Sequence, residues 1–452
     1  MKIQVIRPIY KKGVKKDLDN YRPIAILPSI NKIIEKFFSN KLQSFLEKEN
    51  IIINDQFGFQ KNKGTNEALK KINDDICKAL HEGKHVGAIF IDLQKAFDTI
   101  NRHRLKRKML KYGIDKKLCA ILGDYLDHRS SCVRLGKNYS DLVNINYGVP
   151  QGSILGPILF LIYINDIKGK NNLNVTLFAD DILCLAIGES YEELIEQLQQ
   201  NLNKLQTWCL DNELYISEEK TKFMIFKHEE REMKLFIHGE KCNRLNCKET
   251  CNEINQTENI KYLGLEIDTK WNFDIHIDNI IKKLRQITPK LYCVKKLLSC
   301  KNKKIIYDSW IKSHLQYGLE IYGCAKAKEI NRLQKIQNKI IKILFGSRSY
   351  QKTTHIFEKH QILTIKQLFE YNIIIKYFFQ MKTLRENKIK AKIYPTTKFK
   401  FQPILTKNKF GEKVSTYYIP NIFNKLSEPM WNLKSYNKLK IETKRFILGE
   451  GS

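Results

Sequence analysis

Short apolar segments that end in aspartate constrain this chain more than any other feature of its sequence. The first, VGAIFI, is rich in β-branched residues and is followed directly by Asp92. The second is a pair, VTLFA and ILCLAI, separated only by Asp180 and Asp181. Short apolar runs of this kind are typical of buried strands, and the pair predicts a hairpin with acids at its turn. If these strands are neighbours in one sheet, the three carboxylates lie close together.

Three crowded carboxylates repel one another unless a cation lies between them. Hard oxygen ligands suit Mg²⁺, and two such ions ~3.5–4 Å apart can bind both the attacking and the leaving oxygen of a phosphoryl transfer. The alternative for an Asp-Asp turn is a solvated hairpin tip. The apolar sequence on both sides of Asp180 and Asp181 favours a buried turn, because a solvated tip does not need two buried strands.

The rest of the chain mixes helical and extended patterns, so we expect an α+β fold. Apolar residues at helical spacing, among them Ile30, Ile33, Ile34 and Phe37, predict amphipathic helices. These helices cover residues 29–50, 66–82 and 102–112. A capping-box pattern that begins at Ser190 predicts the start of a longer helix. Short strands follow near LYISEEKTKFMIF, KLFIHG and NIKYLGLEID, and the helical period dominates from 271 to about 381.

The charge of the chain is strongly asymmetric. The whole chain of 452 residues has a formal net charge of +31. Residues 1–270 contain 42 basic and 36 acidic groups, net +6, whereas residues 271–452 contain 37 and 12, net +25. A length of this order predicts at least two packed units, and the basic excess predicts a polyanionic partner, nucleic acid before membrane.

The sequence also bears on membrane association and compartment. The longest stretch without charge, Leu142 to Asn165, contains glycine, proline and asparagine and does not have the composition of a membrane span. The first residues show no signal peptide, and the eleven cysteines have no dense repeated spacing, which is typical of reduced thiols. We therefore expect no membrane partner and an intracellular location, with nucleus and cytoplasm both open.

Several motifs resemble those of reverse transcriptases. FIDLQKAFDTI, GVPQGSILGPILFLIYINDI and FADD occur in the order and at the separations of motifs A, B and C of that family. NYRPIAILPSINKIIEK, QFGFQKNKGT, EEKTKFMIF, KYLG and LQKIQNKIIKIL resemble non-LTR retrotransposon polymerases of the jockey-like kind. The resemblance implies a right-hand polymerase, with fingers, a palm containing an antiparallel sheet, a helical thumb and a basic C-terminal extension.

The resemblance also implies roles for the acids and for one lysine. Asp92 and Asp180 match the metal ligands of the family, with Asp181 beside them, and the expected cofactor is a pair of Mg²⁺ ions, with Mn²⁺ as a substitute. Lys220 matches a lysine proposed to protonate the departing pyrophosphate. The alternatives are that Lys220 is a surface lysine or that Lys222 has this role.

Several residues match substrate-binding positions of the family. Phe97, five residues after Asp92, matches a steric gate that excludes the ribose 2′-hydroxyl. The alternative is that Phe97 is an aromatic residue of the core. Gln151 and Gly152 would approach the nucleotide. Further residues fall where the fingers contact the template or the triphosphate, namely Arg22, Lys61 and Lys63. The chain departs from the family at Gln60, where arginine is usual, and at Gly64, where serine is usual, so Lys61 or Lys63 must replace the missing charge or triphosphate affinity is reduced.

Two more groups carry predictions. Tyr262, Leu263 and Gly264 match the primer grip, a turn that contacts the primer end, although the same triplet serves in ordinary turns. A second group has the soft ligands of a zinc site, with a polar insertion loop as the alternative because the spacings fit no zinc finger or knuckle. Its members are His238, Cys242, Cys247 and Cys251.

The expected function is RNA-directed DNA synthesis, with an RNA template, a DNA primer or target and dNTPs as partners. The expected domains are the catalytic fingers and palm in 1–270, a helical thumb in 271–381 and the basic extension in 382–452. One alternative is a noncatalytic RNA-binding remnant, which the three intact aspartates disfavour, and another is an intron-type reverse transcriptase, which would need a maturase or nuclease segment. Related elements commonly include an endonuclease, so the chain is either a fragment or relies on nicks made elsewhere. The oligomeric state is open.

Overall fold

The computed structural model describes residues 2–169, 173–227, 233–239, 251–346, 352–390 and 400–449. The strands in these ranges are β1 (Ile3–Tyr10), β2 (Tyr21–Ile26), β3 (His85–Ile91), β4 (Arg129–Leu135), β5 (Asn138–Tyr139), β6 (Val143–Ile145), β7 (Asn174–Phe178), β8 (Asp181–Gly188), β9 (Lys222–Phe226), β10 (Leu235–Ile237), β11 (Asn252–Gln256), β12 (Asn259–Tyr262) and β13 (Leu265–Asp268).

The helices alternate with these strands in the first half and dominate the second. They are α1 (Ser29–Lys48), α2 (Thr65–His81), α3 (Arg102–Lys111), α4 (Lys116–Leu126), α5 (Leu155–Ile164), α6 (Tyr191–Asp211), α7 (Asp274–Val294), α8 (Cys300–Ile306), α9 (Ser313–Gln316), α10 (Leu319–Tyr322), α11 (Ala327–Phe345), α12 (Thr354–Lys359), α13 (Ile365–Lys390), α14 (Ser415–Phe423), α15 (Glu428–Trp431) and α16 (Tyr436–Leu448). A π-helical segment, Tyr307–Lys312, lies between α8 and α9. The expected α+β class is confirmed.

The chain divides into two compact units. The first consists of residues 1–68, 86–225 and 229–257, and the second of residues 69–85, 226–228 and 258–452. The predicted domains, with limits at residues 270 and 381, divide the chain differently from these two units. They stay a prediction.

The first unit is built on a six-stranded sheet in the order β10-β11-β9-β3-β8-β7. The strand before Asp92 is therefore a neighbour of the hairpin that contains Asp180 and Asp181, as the apolar patterns predict. Helices α5 and α6 contribute buried residues to the core with this sheet. At Gly87 in β3 an added Cβ would lie 2.8 Å from a methyl of Leu198, so α6 packs directly on the strand.

A second sheet in the first unit has the order β2-β1-β4-β5, with β6 also paired to β4. β1 pairs with β2 in an antiparallel arrangement and with β4 in a parallel arrangement. The pairing with β4 joins residues that are distant in sequence, since Ile3 lies opposite Ser130. The sequence pattern did not predict this sheet, because its pairing joins segments that are distant in the chain.

Helix α1 forms where the apolar spacing predicts it, and Leu42 and Leu46 are buried, but apolar residues in the first half of the helix are exposed. Its buried side includes Asn31, Glu35 and Ser39, whereas much of its apolar face is exposed, including Ile33 at 68% and Phe37 at 58%. Glu35 accounts for this orientation, because its carboxylate accepts hydrogen bonds from Ile154 N at 2.7 Å and from the Tyr125 hydroxyl at 2.8 Å. Burying a carboxylate requires such partners.

The capping box at the start of α6 is confirmed with one difference. Ser190 Oγ accepts from the backbone N of Glu193 at 3.2 Å, as predicted. The Glu193 carboxylate, however, accepts from the backbone N of Glu189 at 2.8 Å, one residue earlier than in the usual reciprocal pattern.

The second unit contains the β12–β13 hairpin and most of the later helices. Side chains from α13, α14, α15 and α16 form one buried cluster, which includes Ile373, Phe378, Phe423, Trp431 and Leu439. The cluster therefore contains residues on both sides of position 381. In the parts of the chain that the structure describes, no helix has both the length and the apolarity needed to cross a bilayer.

Candidate active site

Asp92 follows β3, and Asp180 and Asp181 lie where β7 turns into β8. The pKa of Asp181 is raised to about 6, first by desolvation and then by the charges of Asp180 and Asp92. Desolvation also raises the pKa of Asp180, the charge of Asp92 adds to this rise, and Arg22 opposes it. The three carboxylates are therefore close enough to repel one another, and Arg22 lies within electrostatic range of Asp180.

These acids provide the donor chemistry of a site for a hard divalent cation. All three offer carboxylate oxygens, and a cation would relieve the repulsion that raises the pKa of Asp181. Across the ranges that the structure describes, no group of three or more His, Cys, Asp or Glu side chains has converged into a ligand cluster. The residues fit such an ion by chemistry, and the structure gives no coordination geometry.

Lys220 lies beside Asp92. Its Nζ is 3.3 Å from Asp92 Oδ2, and 70% of its side chain is exposed. The backbone around Asp92 is fixed by two hydrogen bonds, in which Ser217 N donates to Asp92 O at 2.8 Å and Asp92 N donates to Thr221 Oγ1 at 3.3 Å. Lys222, the alternative, belongs to β9. Its ammonium has no described ion pair with Asp92.

Gln151 and Gly152 lie in a loop that is tied to β2 and to the residues after Asp92. Gln151 Nε2 donates to Asp98 Oδ2 at 2.7 Å, and Ala25 N donates to Gln151 O at 2.8 Å. Gly152 has φ +104°, and an added Cβ would lie 2.9 Å from Ala25 O. Burial raises the pKa of Asp98, and the hydrogen bond from Gln151 opposes that rise.

Arg102 also positions this loop, and the sequence reasoning missed it. Its guanidinium is buried and donates to three carbonyls, those of Ile145 at 2.7 Å, Tyr147 at 3.0 Å and Gly148 at 3.0 Å. Burial, followed by the charge of Arg129, lowers the pKa of Arg102 to about 10. An arginine at the start of a helix has no local sequence signal that distinguishes it from a surface residue.

Phe97 stacks on a core aromatic. Its ring centroid is 4.5 Å from that of Phe160, with an interplanar angle of 27°, and Phe97 O accepts a hydrogen bond from Val149 N at 2.9 Å. Phe97 is half-buried. The gate and the core interpretation are both compatible with this position, so its role stays a prediction.

The cations of the QFGFQKNKGT segment differ in their surroundings. Lys61 is exposed. Lys63 Nζ donates to the carbonyls of Asn54 at 2.9 Å and Gln56 at 3.2 Å, and burial lowers its pKa. Gln60 Nε2 also donates to Gln56 O, at 2.8 Å. Lys63 and Gln60 are therefore engaged with the backbone of their own segment.

The sequence reasoning also missed Gln56 and Gly58, which contact the segment we call the acidic turn, Phe178–Asp181. The amide oxygen of Gln56 accepts from Ala179 N, and Gly58 packs against the backbone of Ala179. The QFG of the QFGFQKNKGT motif was the available signal, but nothing local indicated its partner.

Tyr262, Leu263 and Gly264 belong to the second unit, at the turn of the β12–β13 hairpin, which we call the tyrosine turn (Tyr262–Leu265). Leu263 has φ +44° and Gly264 has φ +80°. The Tyr317 hydroxyl donates to Leu263 O at 2.5 Å, and a Cβ at Gly264 would lie 2.9 Å from the Tyr317 ring. The predicted turn is present, and its role as a primer grip stays a prediction.

Two of the four residues predicted as possible zinc ligands, His238 and Cys251, are among the described residues. His238 Nδ1 is 3.4 Å from Cys251 Sγ. Cys242 and Cys247 lie outside the described residues. Zinc binding therefore stays a prediction.

The sheet of the first unit thus has acids at adjoining strand ends, where their oxygens can serve as ligands of a divalent cation. Residues 9–267, more than half of the chain, match the reverse transcriptase (RNA-dependent DNA polymerase) family, and the chain belongs to that family. This confirms the class that the motifs indicated.

Relatives narrow the resemblance within the family. The chain is 28% identical over 375 residues to the probable RNA-directed DNA polymerase from transposon X-element of Drosophila melanogaster, which covers 80% of this chain and 40% of that protein. It is also 28% identical over 352 residues to the RNA-directed DNA polymerase from mobile element jockey of Drosophila funebris, covering 75% of this chain and 37% of that protein. The predicted resemblance to jockey-like non-LTR elements is confirmed, and the chain spans about two fifths of the length of these relatives.

Among solved structures, one similar to this chain is telomerase from Candida tropicalis in complex with a TWJ fragment of telomeric RNA. The match covers 81% of this chain and 58% of the telomerase chain. The sequence identity is 13% and the TM-score 0.40. A TM-score this low does not support a shared arrangement.

Proposed function

We propose that this chain is an RNA-directed DNA polymerase that extends the 3′-hydroxyl of a DNA primer on an RNA template. The observation that carries the proposal is the electrostatic coupling of Asp92, Asp180 and Asp181 at adjoining strand ends, in a chain of the reverse transcriptase family. Repelling, partly desolvated carboxylates are costly unless they serve to bind cations.

The three acids would hold Mg²⁺, with Mn²⁺ as a substitute. Two bound ions would activate the primer hydroxyl and stabilise the charge that develops on the transferring phosphate. The acids must be ionised to bind them, and with the pKa of Asp181 at about 6 its carboxylate is mostly ionised at neutral pH. Lys220, close to Asp92 and largely exposed, would protonate the departing pyrophosphate, and the Asp92 carboxylate would keep its ammonium near the site.

Substrate recognition would use the residues around this centre. Phe97 would exclude the 2′-hydroxyl of a ribonucleotide, supported on its inner face by Phe160. Gln151 and Gly152 would lie along the dNTP, and Arg22 would offset negative charge near Asp180. Of the two finger lysines, exposed Lys61 is the better candidate for a triphosphate contact, because Lys63 is bonded to two carbonyls.

The larger architecture follows the right-hand plan. In this proposal fingers occupy roughly residues 1–85 and 101–147, the palm 86–100 and 148–270, the thumb 271–381 and a basic extension 382–452. The net +25 of residues 271–452 suits phosphate contacts with template and primer. The tyrosine turn would contact the primer end. Such a protein would act inside the cell, in the nucleus or the cytoplasm.

The direct test is Mg²⁺-dependent extension of a DNA primer on an RNA template. Asp92→Asn and Asp180→Asn should each lower extension at least ~10³-fold, because each removes a ligand and a charge, while affinity for the RNA–DNA hybrid stays within ~2-fold. Asp211→Asn, at the exposed end of α6, is the matched control and should extend at the wild-type rate. Folded Asp92→Asn or Asp180→Asn protein that extends at the wild-type rate would overturn the metal assignment.

A further inference from the structure

The backbone at Ala179 has a conformation that an alanine rarely adopts. Ala179 immediately precedes Asp180 and has φ +56°. This left-handed conformation is unfavourable for a residue with a Cβ, because the Cβ approaches the following carbonyl oxygen. It persists only if neighbouring groups stabilise it, and it lies in the peptide next to Asp180.

Gln56 supplies the group that stabilises it. Its side chain is buried, and its amide oxygen accepts from Ala179 N at 3.0 Å and from Gly58 N at 2.8 Å. Both neighbours are N–H donors, which fixes the orientation of the amide. The Gln56 Nε2 finds no hydrogen-bond partner among the described residues. The two hydrogen bonds that the Gln56 oxygen accepts therefore join its own segment, at Gly58, to the backbone of Ala179.

The backbone around Gln56 runs beside the edge of β7. Phe57 N donates to Leu177 O at 2.8 Å, and Leu177 N donates to Asp55 O at 2.8 Å. These two bonds bring the segment against the last residues before the acidic turn. The contact is thus anchored on both sides of Gln56.

Gly58 completes the contact by its lack of a side chain. A Cβ at this position would lie 2.3 Å from Ala179 N. No flexible group can move aside there, because the atom it would meet is backbone. Gly58 and Gln56 therefore contact the same peptide of the acidic turn by independent means.

We propose that Gln56 is a positioning residue for polymerisation, which acts by fixing the left-handed Ala179 and so the direction of the Asp180 carboxylate, and that Gly58 is required for the same contact. The inference rests on the proposed polymerase function and extends it to a segment distant in sequence from the turn, in which Gln56 lies 123 positions from Ala179. Neither residue is a catalytic residue, because both act through Ala179.

The test uses Gln56→Leu and Gly58→Ala in the full chain, with Gln199→Leu as the matched control. Gln199 also bonds a backbone peptide through its amide, at Phe236, and does not contact the acidic turn. In single-turnover extension we expect Gln56→Leu and Gly58→Ala each to lower the rate at saturating dNTP at least ~10-fold, with the KM for dNTP and the affinity for the hybrid within ~3-fold. The double variant should lose little more than the worse single variant, because both changes release the same turn.

A second measurement separates this inference from the proposed function. Hydrogen–deuterium exchange at the Ala179 amide should become at least ~10-fold faster in Gln56→Leu and stay unchanged in Gln199→Leu. Unchanged exchange at Ala179, or wild-type turnover in folded Gln56→Leu and Gly58→Ala, overturns the inference. A wild-type chain that does not extend any primer overturns the proposed polymerase function instead, and the exchange measurement then still decides whether Gln56 fixes the turn.

Discussion

The acidic turn and the tyrosine turn adopt a similar backbone feature and stabilise it differently. Each has a non-glycine residue at positive φ, Ala179 at +56° and Leu263 at +44°. The acidic turn is held by the buried amide of Gln56, which accepts from the backbone. The tyrosine turn is held by Tyr317, a side chain 39% exposed, whose hydroxyl donates to the backbone.

The two kinds of contact differ in how much movement of the turn they allow. A buried contact with a backbone neighbour leaves no room for adjustment, which suits carboxylates that must keep a fixed geometry. An exposed hydroxyl can be replaced by water or by a ligand at small cost, which would suit the contact with a primer that we propose for this turn. We therefore expect changes at the acidic turn to affect the chemical step, and changes in the second unit to affect nucleic-acid binding.

The largest effect should come from a bulky residue in the acidic turn. Ala179→Val places a β-branched side chain at φ +56°, a conformation that such residues avoid. We expect the single-turnover extension rate to fall ~10²-fold while hybrid affinity stays within ~3-fold. An equal fall in affinity would break the comparison, because it would show that this turn also binds the primer. Ala179→Gly is the control and should keep the rate within ~2-fold.

The second effect tests the positive charge of the second unit. Replacing the exposed lysines Lys282, Lys283, Lys290 and Lys296 by glutamine should weaken hybrid binding at least ~30-fold at low salt and flatten its salt dependence, because each lost phosphate contact removes up to ~0.9 from the slope. The measurement is the dissociation constant from low to moderate salt.

The matched control for the lysine variant changes four exposed lysines of the first unit, Lys36, Lys41, Lys116 and Lys117, to glutamine. We expect its salt slope to stay close to that of the unchanged chain. Equal slopes in both variants would mean that the +25 of residues 271–452 is not the nucleic-acid contact, and that region would need another partner.

A smaller effect is expected at the tyrosine turn itself. Gly264→Ala introduces a Cβ at φ +80° that would lie 2.9 Å from the Tyr317 ring, so the turn must shift. The hybrid concentration for half-maximal extension should rise ~10-fold, with the rate at saturation within ~3-fold. Gly136→Ala is the control, since Gly136 has φ +63° with nothing near its added Cβ. A purely catalytic defect in Gly264→Ala would contradict the division between the two turns.

The last effect concerns the free energy of unfolding, not activity, and it has opposite signs near the two turns. His276 lies against β13, where its Nδ1 accepts from Glu266 N at 3.4 Å. Burial, then Lys283 and Lys261, lowers its pKa to about 4. Because the unfolded pKa is ~6.5, His276 contributes stability that is complete above pH ~6.5 and is lost as pH falls toward 4, up to ~3 kcal/mol. The raised pKa of Asp181 has the reverse effect, since it disfavours the folded chain as pH rises.

Urea unfolding followed by tryptophan fluorescence at pH 7 and pH 4.5 measures this dependence. His276→Gln cannot be protonated and should show a smaller loss of stability between the two pH values than the unchanged chain. His355→Gln, on an exposed residue, is the control. The same loss in His276→Gln and in the unchanged chain would assign the acid sensitivity to other groups.

Local sequence patterns predicted both turns but neither of their partners. Asp180-Asp181 between apolar runs and the Tyr-Leu-Gly triplet indicate turns because turn formation depends on adjacent residues. Gln56 and Tyr317 lie 123 and 54 positions from the residues that they contact. No periodicity relates such positions, so their contacts depend on the tertiary fold.

The buried face of helix α1 is another feature that the local sequence does not predict. Its apolar spacing correctly predicts a helix, because spacing reports the period of the backbone. It does not report which face is buried, and here Glu35 is inside because Ile154 and Tyr125 donate to it. Lys63 likewise could be predicted as a cation near the substrate, but not as one engaged by the carbonyls of Asn54 and Gln56.

The outward face of α1 has a practical consequence for the handling of the protein. Ile30, Ile33, Ile34 and Phe37 are exposed on one side of a single helix, and such patches promote self-association at the concentrations used for crystallisation. Sulfate would strengthen that association, whereas low salt would weaken it. Ile33→Glu with Phe37→Lys, both at strongly exposed positions, is therefore a rational surface variant for obtaining concentrated, monodisperse samples.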